Sequence, residues 1–374
     1  MTKSFRIGRI FGIDIELDYT WFIIFFLVAV LLSTGSFADR LPDLSLGVRW
    51  LVAAFTTVLF FASVLLHELS HSLVAKRQGL GISGITLFIF GGVSKMMDEP
   101  KSAGAEFKIA IAGPLMSGVL AIFFLFLAFA LRPFPGGQVF GTVFSWLGFM
   151  NGILAVFNLL PGFPLDGGRV LRAGLWQGLA DLTEATRIAA TFGQVLGVLM
   201  IVGGIFSFLL TMNAGWLWIA LIGWFLTQMA QSSYQQVVLR QALSGVPVVG
   251  AMTREVQSVP AGTTLEQVVD DYVMRYNHPA FPVLDNGQLL GLLCLADIRG
   301  TPRQQWASVT AREVVPPVSE ANTIGPHTDA WNALAIMTTE NCGRLLVVEA
   351  GELLGIISRT DIMRLMHMRM QLGV

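Results

Sequence analysis

Up to about residue 235 the chain is written in long apolar runs; beyond that, polar and apolar residues alternate over a few positions at a time. Six runs have the length and apolar character of membrane spans: 21–37, 48–74, 109–131, 139–160, 189–210 and 214–230. Tyr19 and Trp21 stand at the head of the first run as interfacial anchors. That run lacks a small-residue cleavage site, so it is expected to be retained as a span. Just before it, Ile13, Ile15 and Leu17 alternate with Asp14, Glu16 and Asp18, a period of two that predicts a strand at the membrane surface. The stretch 79–97, GLGISGITLFIFGGVSKMM, is too short and too rich in glycine for a span. Its β-branched and aromatic run 85–90 predicts a strand or re-entrant hairpin, whose backbone must be buried in protein or line a cavity. After the fourth run comes NLLPGFPLDGG (158–168), a helix broken by two prolines, and then a short helix over 169–177.

Composition agrees with this division. The 374 residues are 54% hydrophobic and only 13% charged, where a soluble protein has about 25% charged residues. Mean hydropathy is +0.66. The expected fold is a polytopic α-helical membrane protein with re-entrant and β elements, joined to a soluble α/β part. The expected boundaries are 1–235 for the membrane domain, 236–245 for a linker, and 246–374 for the soluble part, itself divided at 246–303 and 304–374. Net charge is −1, so no basic field points to a nucleic acid. Most Lys and Arg of the membrane domain fall at 1–19, 76–108 and 161–188, against Arg40, Arg49 and Arg132 on the other side. This asymmetry predicts a multi-pass protein of the cell membrane with both termini and the soluble part in the cytoplasm.

The second run carries the candidate chemistry. It ends in His67-Glu68-Leu69-Ser70-His71. Residues i and i+4 share a helix face, so His67 and His71 can present two imidazoles to one metal ion. Glu68 stands beside them, placed to take a proton from an attacking water. This is the His-Glu-x-x-His pattern of zinc hydrolases. Two histidines and a glutamate after sixteen membrane-compatible residues (51–66) are costly unless they have a role. From Leu51 the helix reaches His67 after roughly 24 Å in an apolar core about 30 Å thick, placing the motif within the membrane but near its cytoplasmic side. A catalytic zinc needs three protein ligands. The chain has five histidines and two cysteines, and the other three histidines and both cysteines lie in the soluble part. The third ligand is therefore expected to be a carboxylate, from Asp98, Glu99, Glu106, Asp166, Asp181 or Glu184. Asp166, pinned in the proline turn, fits best, although an aspartate there also fits as a helix cap.

The soluble part repeats itself. PVLDNGQLLGLLCLADI (282–298) aligns with LVVEAGELLGIISRTDI (346–362) at an offset of 64, and each copy follows a helical segment, 265–275 and 330–339. Two like α/β units imply a pseudo-symmetric pair. Cys294 and Cys342 read as free thiols of a reducing compartment.

HELSH together with NLLPGFPLDGG resembles the site-2 protease family of intramembrane zinc metalloproteases over roughly residues 1–235. The resemblance implies that His67, His71 and Asp166 hold one Zn2+, that Glu68 is the catalytic base, and that Asn158 helps hold the substrate or oxyanion. It also matches Gly91 and Gly92 to a segment beside the site, and covers FKIAIAGPLMS (107–117). The implied activity is hydrolysis of a peptide bond in or near a transmembrane segment of a membrane-protein substrate, such as a single-span protein. The repeat is similar to tandem cystathionine-β-synthase-type (CBS) domains through Gly291…Cys294…Asp297 and Gly355…Ser358…Asp361. That similarity implies an adenine nucleotide bound by the Ser358 hydroxyl and the Asp361 carboxylate, with Asp297 the counterpart in a first repeat where Cys294 replaces the hydroxyl. It also implies a homodimer through the pair. CBS pairs occur on transporters as well, so a CBS-regulated metal-ion transporter is the alternative reading.

Overall fold

A computed structural model describes residues 4–96, 99–319, 321–340 and 342–372. The chain divides into two compact units, Met1–Gln235 and Gln236–Val374.

The first unit opens with a hairpin, β1 (Ser4–Ile10) and β2 (Ile13–Asp18). Phe11 (φ 51°) and Gly12 (φ 80°) both lie in the left-handed region at its two-residue turn, the conformation that matches the twist of the flanking strands. Helix α1 (Thr20–Leu31) passes through a π turn at Leu32–Ser36 into α2 (Phe37–Arg40), and α3 (Leu46–Arg77) follows. Strands β3 (Ile82–Phe88) and β4 (Gly91–Met96) complete a four-stranded sheet in the order β1-β2-β3-β4, with β2 and β3 parallel and the other pairs antiparallel. The period-two reading of 13–18 is met: Ile13, Ile15 and Leu17 are buried and pack with Ile85 and Leu87 against Val64 and Leu69 of α3. The strand expected over 85–90 begins earlier and ends at Phe88; residues 89 and 90 form the turn into β4.

The remaining helices are α4 (Ala103–Ala130), α5 (Gly137–Asn158), α6 (Asp166–Leu179), α7 (Leu182–Thr211) and α8 (Gly215–Leu243). Ser45, Ser102 and Asp181 cap α3, α4 and α7 through their side chains. Among the described residues, five helical stretches are long and apolar enough to cross a membrane: Thr20–Arg40, Leu46–Arg77, Ala103–Ala130, Gly137–Asn158 and Leu182–Thr211. The expected sixth span falls on α8. Its apolar start runs into Gln228, Gln231, Ser232 and Ser233, which take it out of that set. The stretch expected as a linker from 236 onward is helical to Leu243, as the last turns of α8. Where α7 meets α8, Gly197 lies against Gly223 and Gly204 against Ala220, so small residues let the two backbones approach.

One buried ion pair ties α4 to α6. The Arg172 guanidinium donates from Nε to Glu106 Oε1 at 2.6 Å and from a terminal nitrogen to the same oxygen. Glu106 is 0% exposed and Arg172 7%.

The second unit holds two three-stranded sheets. One is β5 (Val259–Pro260), β6 (Ala280–Asp285) and β7 (Gln288–Cys294); the other is β8 (Thr323–Ile324), β9 (Arg344–Glu349) and β10 (Glu352–Ser358). Each begins with a short parallel pairing and ends in an antiparallel hairpin. Asn286-Gly287 and Ala350-Gly351 turn the hairpins with positive φ at both positions. The segment before each repeat pairs with the other repeat's hairpin, Thr253 with Ile356 and Pro317 with Gly291. A Cβ at Gly355 or Gly291 would overlap or crowd the crossing backbone at Thr253 or Pro316. The pseudo-symmetry expected from the offset of 64 is thus an exchange of arms.

Removing Glu106 leaves the Arg172 guanidinium buried without its carboxylate, which costs about 3–5 kcal/mol. Glu106→Leu is expected to lower unfolding stability in detergent by about that amount. The double variant with Arg172→Leu should recover most of it. Equal stability of wild type and Glu106→Leu would count against the pair's role.

Candidate metal centre

The second half of α3 buries a stripe at helical spacing: Ser63, Val64, His67, His71, Ser72 and Ala75. His67 and His71 are each 3% exposed. The first turn of α6 brings Asp166 to them. Asp166 Oδ2 lies 3.2 Å from His67 Nε2 and 3.1 Å from His71 Nε2, and the two Nε2 atoms are 3.3 Å apart. Zinc bonds of about 2.0–2.2 Å in tetrahedral geometry set ligand atoms about 3.3 Å apart, so the three atoms form one face of such a tetrahedron. Two nitrogens and one carboxylate oxygen are also a donor set that zinc accepts.

The outward nitrogens of both rings are taken. His71 Nδ1 lies 2.6 Å from the Ile109 carbonyl oxygen. A carbonyl only accepts, so Nδ1 carries the proton and Nε2 keeps its lone pair for a metal. His67 Nδ1 lies 2.8 Å from Ser117 Oγ, a hydroxyl able to accept its proton in the same way. Ile109, Gly113 and Ser117 recur every four residues along one face of α4. Gly113 is the floor beneath the two rings: a Cβ there would overlap His71 Nε2 and stand 2.6 Å from His67 Nε2. This close floor is what a site shaped around an ion needs.

Glu68 is half-buried on the neighbouring face of α3, and β4 runs over it; a Cβ at Gly92 would overlap Glu68 Cγ. Asn158 ends α5 with its amide donated to the Leu154 carbonyl at 3.0 Å. The structure thus gathers His67, His71 and Asp166, sets Glu68 beside His67 in sequence, and holds Asn158 on its own helix. The other carboxylate candidates have different settings. Glu106 pairs with Arg172, Asp181 caps α7, and Glu184 pairs with Arg187 at 2.6 Å. Asp98 lies outside the described residues.

Asp166 is held from three sides. It opens α6, where a carboxylate meets the positive end of the helix dipole. Behind it, Gly167 and Gly168 press against the backbone of 159–163, where a Cβ at either position would overlap main-chain atoms. One turn on, Arg172 anchors α6 to Glu106 of α4, the helix that also holds both imidazoles. Sequence reasoning missed Ile109, Ser117 and the Glu106–Arg172 pair. The signal for the first two was their spacing of four around Gly113; the pair left no local signal.

In the second unit, Ser358 and Asp361 form a closed capping box at the start of the helix Arg359–Leu372. Asp361 Oδ2 accepts from Ser358 N at 3.0 Å and Ser358 Oγ at 2.5 Å. They line a cavity of about 290 Å3 with Thr253, His278, Arg344 and Arg364. In the first repeat Asp297 accepts only the Cys294 backbone N–H, at 2.8 Å. Burial, and then the Asp297 carboxylate, pushes the Cys294 thiol up to about 11, so it stays a protonated, weak donor.

Residues 55–200 match peptidase family M50, and residues 243–301 and 309–368 match the CBS domain. The putative zinc metalloprotease sll0528 of Synechocystis is 34% identical over 368 residues, covering 97% of this chain and 96% of that protein. The zinc metalloprotease MJ0392 of Methanocaldococcus jannaschii is 33% identical over 373 residues, covering 98% and 97%. Among solved structures, the site-2 protease from Methanocaldococcus jannaschii shares 34% identity over 62% of this chain and 95% of its own, with a TM-score of 0.44. End-to-end sequence similarity to the Synechocystis protein and to MJ0392 has one consequence: the chain belongs to peptidase family M50, as a multi-pass membrane zinc metalloprotease with a tandem pair of CBS domains.

Proposed function

We propose that the chain is an intramembrane protease that cleaves a membrane-protein substrate, single-span proteins among them, in or beside a transmembrane segment. The carrying observation is the triangle that His67 and His71, in the second half of a membrane-spanning helix, form with Asp166 at the start of α6. These three residues would hold one zinc ion. When bound, zinc polarises the scissile carbonyl and makes water a usable nucleophile near neutral pH. A Glu68 carboxylate oxygen takes the proton of the attacking water and passes it to the leaving amine. Asn158 turns its amide from the Leu154 carbonyl towards the developing oxyanion. Ser117 and Ile109 keep the imidazoles in the tautomer that leaves Nε2 free.

A helical substrate hides its carbonyls in its own hydrogen bonds, so it must be extended locally. Strand β3 is paired on both sides, with β2 and β4, and has no free edge for it. The sheet's open edge beside Glu68 belongs to β4, and an extended segment adding there would lie next to the site. The charge asymmetry supports cytoplasmic termini at the cell membrane. The cavity at Ser358 and Asp361 supports an adenine nucleotide in the second CBS repeat, with Asp297 in a lesser role, acting on cleavage through different affinity for two states. A homodimer through the CBS pair is part of the same reading.

Three outcomes test it. Glu68→Gln in the full chain should lower cleavage of a single-span substrate at least about 100-fold while zinc content, read by elemental analysis, stays near one per chain; Asp166→Ala should lose the zinc. Substantial cleavage by Glu68→Gln, or metal-dependent ion flux in its place, would sink the proteolytic reading. Gly113→Ala pushes a methyl group into the rings and should weaken zinc binding about 10–100-fold, measured by competition with a chelator. Unchanged affinity would show that the floor is not needed. Adenine nucleotide should bind the full chain in titration calorimetry, and Asp361→Ala should abolish it. Binding kept in that variant but lost in Asp297→Ala would move the site to the first repeat.

A further inference from the structure

The end of the membrane unit where α3 begins carries a second constellation, remote in sequence from the metal centre. Arg40 ends α2, Arg132 follows α4, and α5 starts at Gly137, so the ends of three span-length helices meet at one place. That side of the membrane domain is poor in basic residues; Arg40, Arg49 and Arg132 are its Lys and Arg. Two of these three line one cavity of about 360 Å3, together with Gln138, Thr142 and Ser145. Among the described residues, neither Arg40 nor Arg132 makes an ion pair. Two arginines line this one cavity and no carboxylate does, so the lining offers positive charge to an anion.

The walls of the cavity are built for access. Gln138 donates to the Arg40 carbonyl at 3.2 Å, which fixes the end of α2 on α5. Gly137 sits so close to the end of α4 that a Cβ would overlap the Arg132 carbonyl, and Gly141, one turn on, faces the Arg132 stem. Gly136 opens α5 in the left-handed conformation and offers no capping side chain, so the positive end of a 22-residue helix faces the same region. Phe134 and Phe140, 61% and 46% exposed, flank the lining residues Arg132 and Gly141 in sequence and add apolar surface.

We propose that this cavity is a phosphate-binding site, in which Arg40 and Arg132 clamp a phosphate group through their forked N–H donors. Two sources present that chemistry, an anionic phospholipid headgroup and free phosphate. The flanking phenylalanines favour the lipid. A lipid held here would brace α2, α4 and α5, and through α4 the helix that carries both imidazole supports.

The test uses the full chain in detergent and native mass spectrometry, with phosphatidylglycerol against a phosphate-free glycolipid of the same acyl chains. Wild type is expected to retain phosphatidylglycerol in preference to the glycolipid. Arg40→Gln with Arg132→Gln should lose at least about tenfold in that retention, the worth of one charge-assisted hydrogen bond, and the corresponding Lys variants should keep part of it. A monodisperse elution profile and a circular dichroism spectrum matching wild type verify that the variants fold. Thermal shift of delipidated protein with inorganic phosphate reads the second source; a shift lost in the double Gln variant, without lipid preference, assigns the site to free phosphate. Equal lipid retention in wild type and folded double Gln variant, with no phosphate-dependent shift between them, overturns the proposal.

Discussion

Two imidazoles and a carboxylate must be kept 3.1–3.3 Å apart inside a membrane domain, and the surrounding structure follows from that constraint. Such groups are costly in an apolar medium unless every polar atom has a task. Here each outward nitrogen meets an oxygen of α4, and each inward nitrogen meets Asp166. The helices can hold this geometry only by touching, which is why glycine stands at 113. The same closeness recurs at Gly167 and Gly168, where α6 rests on the turn before it.

A buried ion pair joins the two halves of the centre. Helix α4 orients the histidines and α6 presents the aspartate, and Glu106–Arg172 bolts α4 to α6 in surroundings almost closed to solvent. Burying an ion pair seldom adds net stability. Its use here is positional, since a small shift of α6 would spoil the ligand triangle while leaving the fold intact. The sheet has a parallel duty: its apolar face on α3 fixes β4 over Glu68 and leaves the outer edge of β4 open.

The CBS pair shows how one repeat sequence yields two unequal sites. Both copies keep the glycine that lets the other repeat's arm cross and the aspartate that closes the helix cap. Only the second copy has a hydroxyl in that cap, and its neighbour Arg344 extends into the adjoining cavity. In the first copy a half-buried, protonated thiol takes the hydroxyl's place.

What the sequence by itself determined was local or periodic. Apolar runs marked the spans, alternation marked β2, the offset of 64 marked the paired soluble units, and the four-residue spacing of His67 and His71 put both on one face. A shortage of histidine and cysteine in the membrane domain narrowed the third ligand to a carboxylate. Which carboxylate came to the rings depended on how α6 packs, and tertiary structure alone sent Glu106 to Arg172 and Asp181 to a helix cap. Likewise Ile109 serves through a backbone carbonyl, which has no residue identity to read, and Ser117 and Gly113 gain meaning only once α4 crosses α3. The convergence of Arg40 and Arg132 is of the same kind: ninety-two positions separate them in the sequence, and only the meeting of three helix ends makes them neighbours.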